Sequence, residues 1–213
     1  MQLHEEHRPK TWNEVIGQDK TIRRIDQLRK RGLGGRAFWI SGQSGTGKTT
    51  IARLIASELA SEFGIEEIDA SECTPARLRE IERTMRIRCI GAKPGRAYLV
   101  NEAHGLSKPA IRQLLVMLER LPSHVVWVFT TTCDGQESLF DDNIDAHPLL
   151  SRCAVLPLSR RGLAEPFAQR AKDIAEREGL DGQPIEKYVR LLRDNGNNLR
   201  AALQAIESGG MLD

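Results

Sequence analysis

The chain has 213 residues, 40% of them apolar and 5% aromatic, with 31 basic against 29 acidic side chains and a formal charge of +2. That length suits one large or two small domains with a real core. So few aromatics argue against a base-stacking platform for single strands, and so small a net charge supplies no global basic field for nucleic acid.

The polar N-terminus lacks the apolar core of a signal peptide. A helix is expected over Lys20–Arg31, broken by Gly32, Gly34 and Gly35. Ala37–Ile40 reads as a buried strand. Thr49–Phe63 reads as a helix, with Ile51, Leu54, Ile55 and Leu59 at helical spacing. Between them Gly42, Gln43, Ser44, Gly45, Thr46, Gly47, Lys48 and Thr49 fit GxxxxGK[ST] without a gap, and Thr50 follows. The glycines let backbone N–H groups curl around a β-phosphate. Lys48 offers a point charge to the β- and γ-phosphates, and the Thr49 hydroxyl is suited to ligate Mg²⁺. This strand–loop–helix predicts a site for a nucleoside triphosphate, with ATP and Mg²⁺ as the expected ligands.

A second strand is expected at Glu66–Ala70, followed by a helix capped by Ser71 that carries Arg77, Arg79, Arg83, Arg86 and Arg88. After the turn Gly91–Gly95, Ala97–Val100 is a third apolar run that ends in Asn101 and Glu102. Ser107 caps the next helix, with Pro109 in its first turn and Ile111, Leu114, Leu115 and Leu118 on one face. Val125–Phe129 is a fourth strand flowing into Thr130, Thr131 and Thr132. A polar loop spans Cys133–His147, and Cys153–Leu158 reads as a short last strand. Beyond it only helical patterns remain: Ala164 to Ile174, Ile185 to Arg193 and Asn198 to Ser208. The expected architecture is α/β over residues 1–158, a parallel sheet flanked by helices, followed by a small helical lid over 159–213. The four cysteines form no CxxC pair, so no zinc site is expected and a reducing cytoplasm fits. No stretch approaches the roughly eighteen apolar residues of a membrane span.

A phosphate loop does not name a reaction. ATPases of this type end a buried strand with an Asp-Glu pair, the Asp holding Mg²⁺ through water and the Glu polarising the attacking water. Here Glu102 stands in the second place and the neutral Asn101 in the first. A charge lost beside Mg²⁺ costs on the order of several kcal/mol at intermediate dielectric. The amide oxygen recovers part of it by accepting a hydrogen bond from a metal-bound water. His104 and His124 have no metal spacing and read as structural.

The chain resembles the AAA+ modules of sliding-clamp loaders, P-loop ATPases with a helical lid. The likeness is carried by Glu6–Gln18, Glu67–Ala70, Asn101–Ser107, Leu115–Val126, Asn198–Leu203 and, most diagnostically, Ser151-Arg152-Cys153 within Leu150–Cys153. The resemblance implies that Arg8, Pro9, Val15 and Ile16 contact adenine. It implies that Thr131 or Thr132 senses the γ-phosphate, and that Arg200 reaches the nucleotide from the lid. Arg152 would project into a neighbour's site as an arginine finger, which can be worth roughly 10³–10⁵ in rate. It further implies partners: other AAA+ subunits in a homo- or hetero-oligomer, a sliding clamp and primer-template DNA, in the cytoplasm or, for a viral chain, the host's. For DNA, Arg77, Arg83 and Arg86, with Ser107 and Lys108 at a helix N-terminus, are the candidates. A solvated charged face with Glu80 and Glu82 interleaved is the competing reading.

The departures from the family are Asn101, the absence of the zinc-binding cysteine cluster, an acidic loop around Asp141 and Asp142, and a chain that stops after the lid without the helical collar domain. They keep two other functions open. One is an ATP-binding structural subunit that lends Arg152 to an active neighbour without hydrolysing. The other is a different AAA+ remodeller, such as a helicase loader.

Overall fold

A computed structural model describes residues 2–132 and 147–212. The expected loop Cys133–His147, with Asp141 and Asp142, lies outside the described residues apart from His147, which begins a helix. The contacts group the chain into two compact units. One is Lys20–Gly42 with Lys48–Pro157, and the other is Met1–Asp19, Gln43–Gly47 and Leu158–Asp213. This differs from a single division after residue 158 in that the N-terminal segment and the tip of the phosphate loop associate with the C-terminal helices.

The larger unit holds, among the described residues, a five-stranded sheet. Its strands are β1 (Arg36–Gly42), β2 (Ile65–Asp69), β3 (Arg96–Asn101), β4 (Val125–Thr132) and β5 (Cys153–Pro157), in spatial order β2-β3-β4-β1-β5. All pairings between these strands are parallel. Parallel strands put their carboxyl ends on one edge, where ligands of open α/β sheets bind. The register sets Gly42 beside Thr132 and Val100 beside Phe129, so the loops after β1 and β3 emerge on either side of the β4 tip.

Strand alternation sorts the core. Ala37, Trp39, Tyr98, Val100, Val125, Trp127 and Phe129 share one cluster with Leu78 and Ile81 of α4 (Pro75–Thr84) and Leu114 and Met117 of α5 (Lys108–Leu118). Within it Tyr98 stacks on Trp127 at 4.8 Å, Trp127 on Phe129 at 5.9 Å and Trp39 on Phe129 at 5.7 Å. Such pairs add about 0.5–1.5 kcal/mol each beyond burial. The helix after the phosphate loop, α3 (Lys48–Leu59), packs on β3 and β4 and buries Ile51, Leu54 and Ile55. An earlier helix, α2 (Asp19–Arg29), stops two residues short of the expected Arg31.

Other differences have local causes. Thr74, not Ser71, caps α4: its side chain accepts from the Arg77 N–H at 3.2 Å, and Pro75 takes the first helical position, where its missing N–H costs nothing. Ser71 instead lies in a 3₁₀ turn over Ala70–Glu72. Because α4 ends at Thr84, Arg86 and Arg88 fall beyond it. The helix expected to reach Phe63 ends at Leu59, and Phe63 sits in a separate 3₁₀ turn, Glu62–Gly64, almost fully exposed. Ser107 does cap α5, accepting from the Ala110 N–H at 3.4 Å.

In the second unit, α7 (Ala164–Glu178), α8 (Ile185–Asp194) and α9 (Leu199–Glu207) bury Phe167, Ala171, Ile174, Tyr188, Leu192, Leu203 and Ile206 together with Leu3 of the short α1 (Leu3–Glu6). α7 closes on Gly179 with φ 70°, a left-handed C-cap. Asp181 ties α7 to α8, accepting from the Tyr188 hydroxyl and from Lys172 Nζ, each at 2.7 Å. Lys172 first, then Tyr188, hold the Asp181 carboxyl below its usual range. The stability this adds is present above the ordinary carboxylate range and is lost as pH falls through the lowered value.

The indole Nε1 of Trp127 is buried without a hydrogen-bond partner. Trp127→Ala should therefore cost about 3–5 kcal/mol in chemical denaturation. Trp127→Phe should cost far less, because it also removes an unpaired donor. Equal losses for the two would show that the aromatic stack is not what holds this face of the sheet.

Candidate nucleotide site

Lys48 opens α3 and is buried, and its Nζ donates to the Gly42 carbonyl at 2.8 Å. The ammonium is thus held back against the end of β1, the loop's own start. Thr49 and Thr50 follow, each partly buried on the first turn of α3. Gly42 is the register partner of Thr132, so the loop begins against the tip of β4.

Three consecutive threonines end β4, and each meets a different residue of the stretch from Asn101, the last of β3, to His104 in the turn after it. The Thr130 hydroxyl donates to Asn101 Oδ1 at 3.1 Å, and the Thr132 hydroxyl to Glu102 Oε1 at 3.3 Å. Thr131 Oγ1 lies 3.3 Å from His104 Nδ1, which is also 3.4 Å from Glu102 Oε2. Thr130 and Thr131 are 2% and 1% exposed, so their hydroxyls must find partners inside the protein. Glu102 adopts φ 49°, ψ 47°, a left-handed conformation that costs a non-glycine residue about 1–2 kcal/mol. The residue turns the chain from β3 into the 3₁₀ turn Ala103–Gly105 and leaves its carboxylate 56% exposed.

Asn101 is engaged on both sides. Besides accepting from Thr130, its Nδ2 donates to Glu67 Oε1 at 2.7 Å. The other Glu67 oxygen accepts from Arg53 Nε at 3.1 Å and Nη2 at 2.8 Å. The amide oxygen expected to face a metal-bound water therefore already takes one internal hydrogen bond, and keeps one lone pair.

The second unit carries the loop tip. Thr46 is buried and donates to the Gln43 carbonyl at 2.8 Å. Gly45 and Gly47 have φ of 75° and 93°, left-handed backbone that favours glycine. A Cβ on Gly45 would lie 1.9 Å from Asn198 Oδ1. That same oxygen caps α9 by accepting from the Ala201 N–H at 3.3 Å. Arg160 Nε donates to Gln43 Oε1 at 3.0 Å. Arg200 is exposed in the first turn of α9. Arg8 pairs with Glu5, Ile16 packs on the helical core, and Pro9 and Val15 are partly buried.

Other predicted residues stand apart. Arg152 follows α6 (His147–Leu150) and precedes β5. It donates to the Pro148 carbonyl at 2.9 Å and pairs with Glu119, whose carboxyl it holds below its usual range. Arg77 is taken by Glu80 at 2.5 Å and Glu66 at 2.6 Å, whereas Arg83 and Arg86 are exposed. Ser107 and Lys108, both exposed, open α5. Sequence spacing did not point to Glu67, His104, Thr130, Arg160 or the loop contact of Asn198. Apart from the two-residue step from Glu102 to His104, these are long-range neighbours that leave no periodic mark.

The residues suit a nucleotide and its cation: a glycine cradle, a buried lysine, and hydroxyl, amide and carboxylate oxygens of the kind a small hard ion takes. A family model described as "ATPase family associated with various cellular activities (AAA)" matches residues 38–154, more than half of the chain. The chain belongs to the AAA family of ATPases. This AAA protein is 30% identical to DNA polymerase III subunit tau of Escherichia coli strain K12, over 95% of this chain and 34% of that protein. It is 31% identical to DNA polymerase III subunit gamma of Buchnera aphidicola subsp. Schizaphis graminum, over 59% and 40%. It is 26% identical to the replication factor C small subunit of Archaeoglobus fulgidus, over 98% and 63%. The AAA chain thus spans under two thirds of each of these relatives. Solved structures of Thermotoga maritima RuvB share its fold, with a TM-score of 0.71 at 20% identity over 94% of this chain and 64% of theirs. No helix among the described residues is long and apolar enough to cross a membrane.

Gly45→Ala should destabilise the AAA protein by about 1–3 kcal/mol more than Gly47→Ala, because a Cβ at Gly47 meets nothing within 4 Å while one at Gly45 collides with Asn198. Denaturation of both variants measures this. Equal costs would show that Asn198 moves aside freely.

Proposed function

We propose that this chain is an ATPase subunit of the clamp-loader type, coupling ATP binding and hydrolysis to the placing of a sliding clamp on primer-template DNA. The single observation that carries the hydrolytic part is the threonine row at the end of β4. It lines up Gly42, Thr132 and Glu102 so that a carboxylate stands beside the start of the phosphate loop. Similarity to the DNA polymerase III and replication factor C subunits supports the assignment to replication.

In this reading Gly42 to Thr50 hold the triphosphate. Lys48 leaves the Gly42 carbonyl for the β- and γ-phosphate oxygens, and backbone N–H groups at Gly45 and Gly47 cradle the chain of phosphates. The Thr49 hydroxyl and, through water, Asn101 would hold Mg²⁺, which supplies neutralisation of the phosphate oxygens. Glu102 orients the attacking water and takes its proton on a carboxylate oxygen, with Thr132 and His104 fixing the carboxylate. Thr131 and Thr132 report on the γ-phosphate. Arg200 contacts it from α9, and Arg8, Pro9, Val15 and Ile16 border the base.

Arg152 acts on a neighbouring subunit. Cys153 pairs with Ala37 at the amino ends of β5 and β1, five residues before Gly42. At about 3.3 Å per residue that is about 17 Å from the loop's start, farther than an arginine side chain extends. DNA phosphates meet Arg83, Arg86, Ser107 and Lys108. Arg77 joins only by leaving Glu66 and Glu80. A second reading is favoured by the neutral Asn101: an ATP-binding subunit that does not hydrolyse and serves its neighbour through Arg152.

Steady-state phosphate release decides between them. The clamp-loader reading expects turnover by the assembled protein that rises with primed DNA and is abolished by Glu102→Gln with nucleotide binding retained. Tight ATP binding with no turnover in any assembly would establish the second reading instead. Arg152→Ala should lower turnover of the assembly by about 10³-fold or more while leaving ATP affinity of the lone chain unchanged. A loss of affinity in the lone chain would place Arg152 in its own site.

A further inference from the structure

The chain Arg53–Glu67–Asn101–Thr130 crosses four elements, α3, β2, β3 and β4, all within the larger unit. Its hydrogen bonds have one allowed polarity. A carboxylate at Glu67 only accepts, so the Asn101 amide must turn its NH₂ to Glu67 and its oxygen to Thr130. The oxygen is then fixed at the carboxyl edge of the sheet with one lone pair to spare. The negative charge is not on residue 101 but 2.7 Å from its amide, one strand away. Arg53, which steadies that charge, lies one helical turn beyond Thr49 on α3.

We propose that Glu67 is a positioning residue for the nucleotide site: it orients the Asn101 amide and carries, in its ion pair with Arg53, the single negative charge of the pair next to the carboxyl edge of the sheet. Glu67 and Asn101 form one unit, an amide and an acid of net charge −1, with the acid on β2 rather than β3. This rests on the nucleotide reading given above and extends it to a residue that touches neither the loop nor the substrate. Its consequence is counterintuitive. Replacing Asn101 by aspartate does not improve the site. It sets two carboxylates against each other where one N–H···O bond stood, and like charges so placed repel. Exchanging both residues restores the bond between them: in the Glu67→Gln/Asn101→Asp variant the glutamine NH₂ donates to the aspartate, the aspartate still accepts from Thr130, and the pair's net charge returns to −1, while Arg53 keeps the glutamine oxygen as a neutral acceptor.

The experiment compares the native chain with Glu67→Gln, Asn101→Asp and the double exchange by two readouts. The first is thermal melting without nucleotide. Asn101→Asp should melt about 2–4 °C or more below the native chain, and the double exchange should recover most of that loss. The second is affinity for a fluorescent ATP analogue with Mg²⁺ and with chelator. Glu67→Gln should bind about tenfold more weakly in Mg²⁺ and unchanged in chelator, with the double exchange again near native. A purely structural Glu67 would shift both affinities together or neither. An Asn101→Asp variant as stable as the native chain, or a Glu67→Gln variant with native Mg²⁺ dependence, overturns the proposal. A native chain that binds no nucleotide in either buffer overturns the nucleotide reading and the positioning role with it. The melting series then still decides, separately, whether Glu67 and Asn101 share one charge.

Discussion

β4 is hydrogen-bonded to β3 on one side and β1 on the other, and its last three residues are threonines. Asn101, Glu102 and His104 take their positions from that strand's hydroxyls. The parallel register leaves Thr130, Thr131 and Thr132 level with the end of β3, where the chain turns, and with Gly42, where the phosphate loop begins. Two of the three hydroxyls are buried, and a buried hydroxyl without a partner costs about 1–3 kcal/mol. The cheapest arrangement satisfies them with Asn101 and His104, which in turn brings Glu102 to Thr132. Desolvation thus does the positioning. The left-handed turn at Glu102 is the local strain that this arrangement holds in place.

β4 is also held by packing along its middle, just before the threonines. Trp127 and Phe129 stack on Tyr98 and Trp39 from the neighbouring strands, and α4 and α5 close over them. Strand pairing and aromatic packing fix the same register twice. A one-residue slip would turn the aromatics out of their cluster and the threonines away from Asn101 and Glu102 at once. The apolar core and the polar edge are therefore two readings of a single alternation along Val125–Thr132.

What the amino-acid order disclosed follows from this. The phosphate loop, the strand before it, the Ser107 cap and the apolar faces of α3 and α5 are local patterns, written in spacing and composition, and they were legible. The ends of α2, α3 and α4 were not, because several residues compete for each cap: Ser71 and Thr74 both suit the N-terminus of α4, and Pro75 decides for Thr74. Glu67 was invisible as a site residue for a different reason. It sits on β2, three strands from the β1 that leads into the phosphate loop, and only the spatial order β2-β3-β4-β1 shows that its carboxylate neighbours Asn101. Asn198 was legible as the start of α9, but its contact with Gly45 depends on the folding of the loop tip with the C-terminal helices.

The parallel geometry that gathers Lys48, Glu102 and the threonines also removes Arg152. Strands that share a direction place every residue of their amino ends on the edge opposite their carboxyl ends, and Arg152 precedes β5, whose first residue, Cys153, is level with Ala37, the second of β1. No side-chain rotation within the unit bridges a strand's length. The resting partner of Arg152 is Glu119, at the C-terminus of α5 and well exposed. An ion pair so accessible to water holds weakly, so little stands against transfer of the guanidinium to a more highly charged anion. A phosphate presented by another molecule is such an anion. Under the proposed reading, each chain then carries most of a catalytic site at one edge of its sheet and the missing cation of another at the opposite edge. A set of sites of this kind is completed only by a second copy or a related subunit set edge against edge.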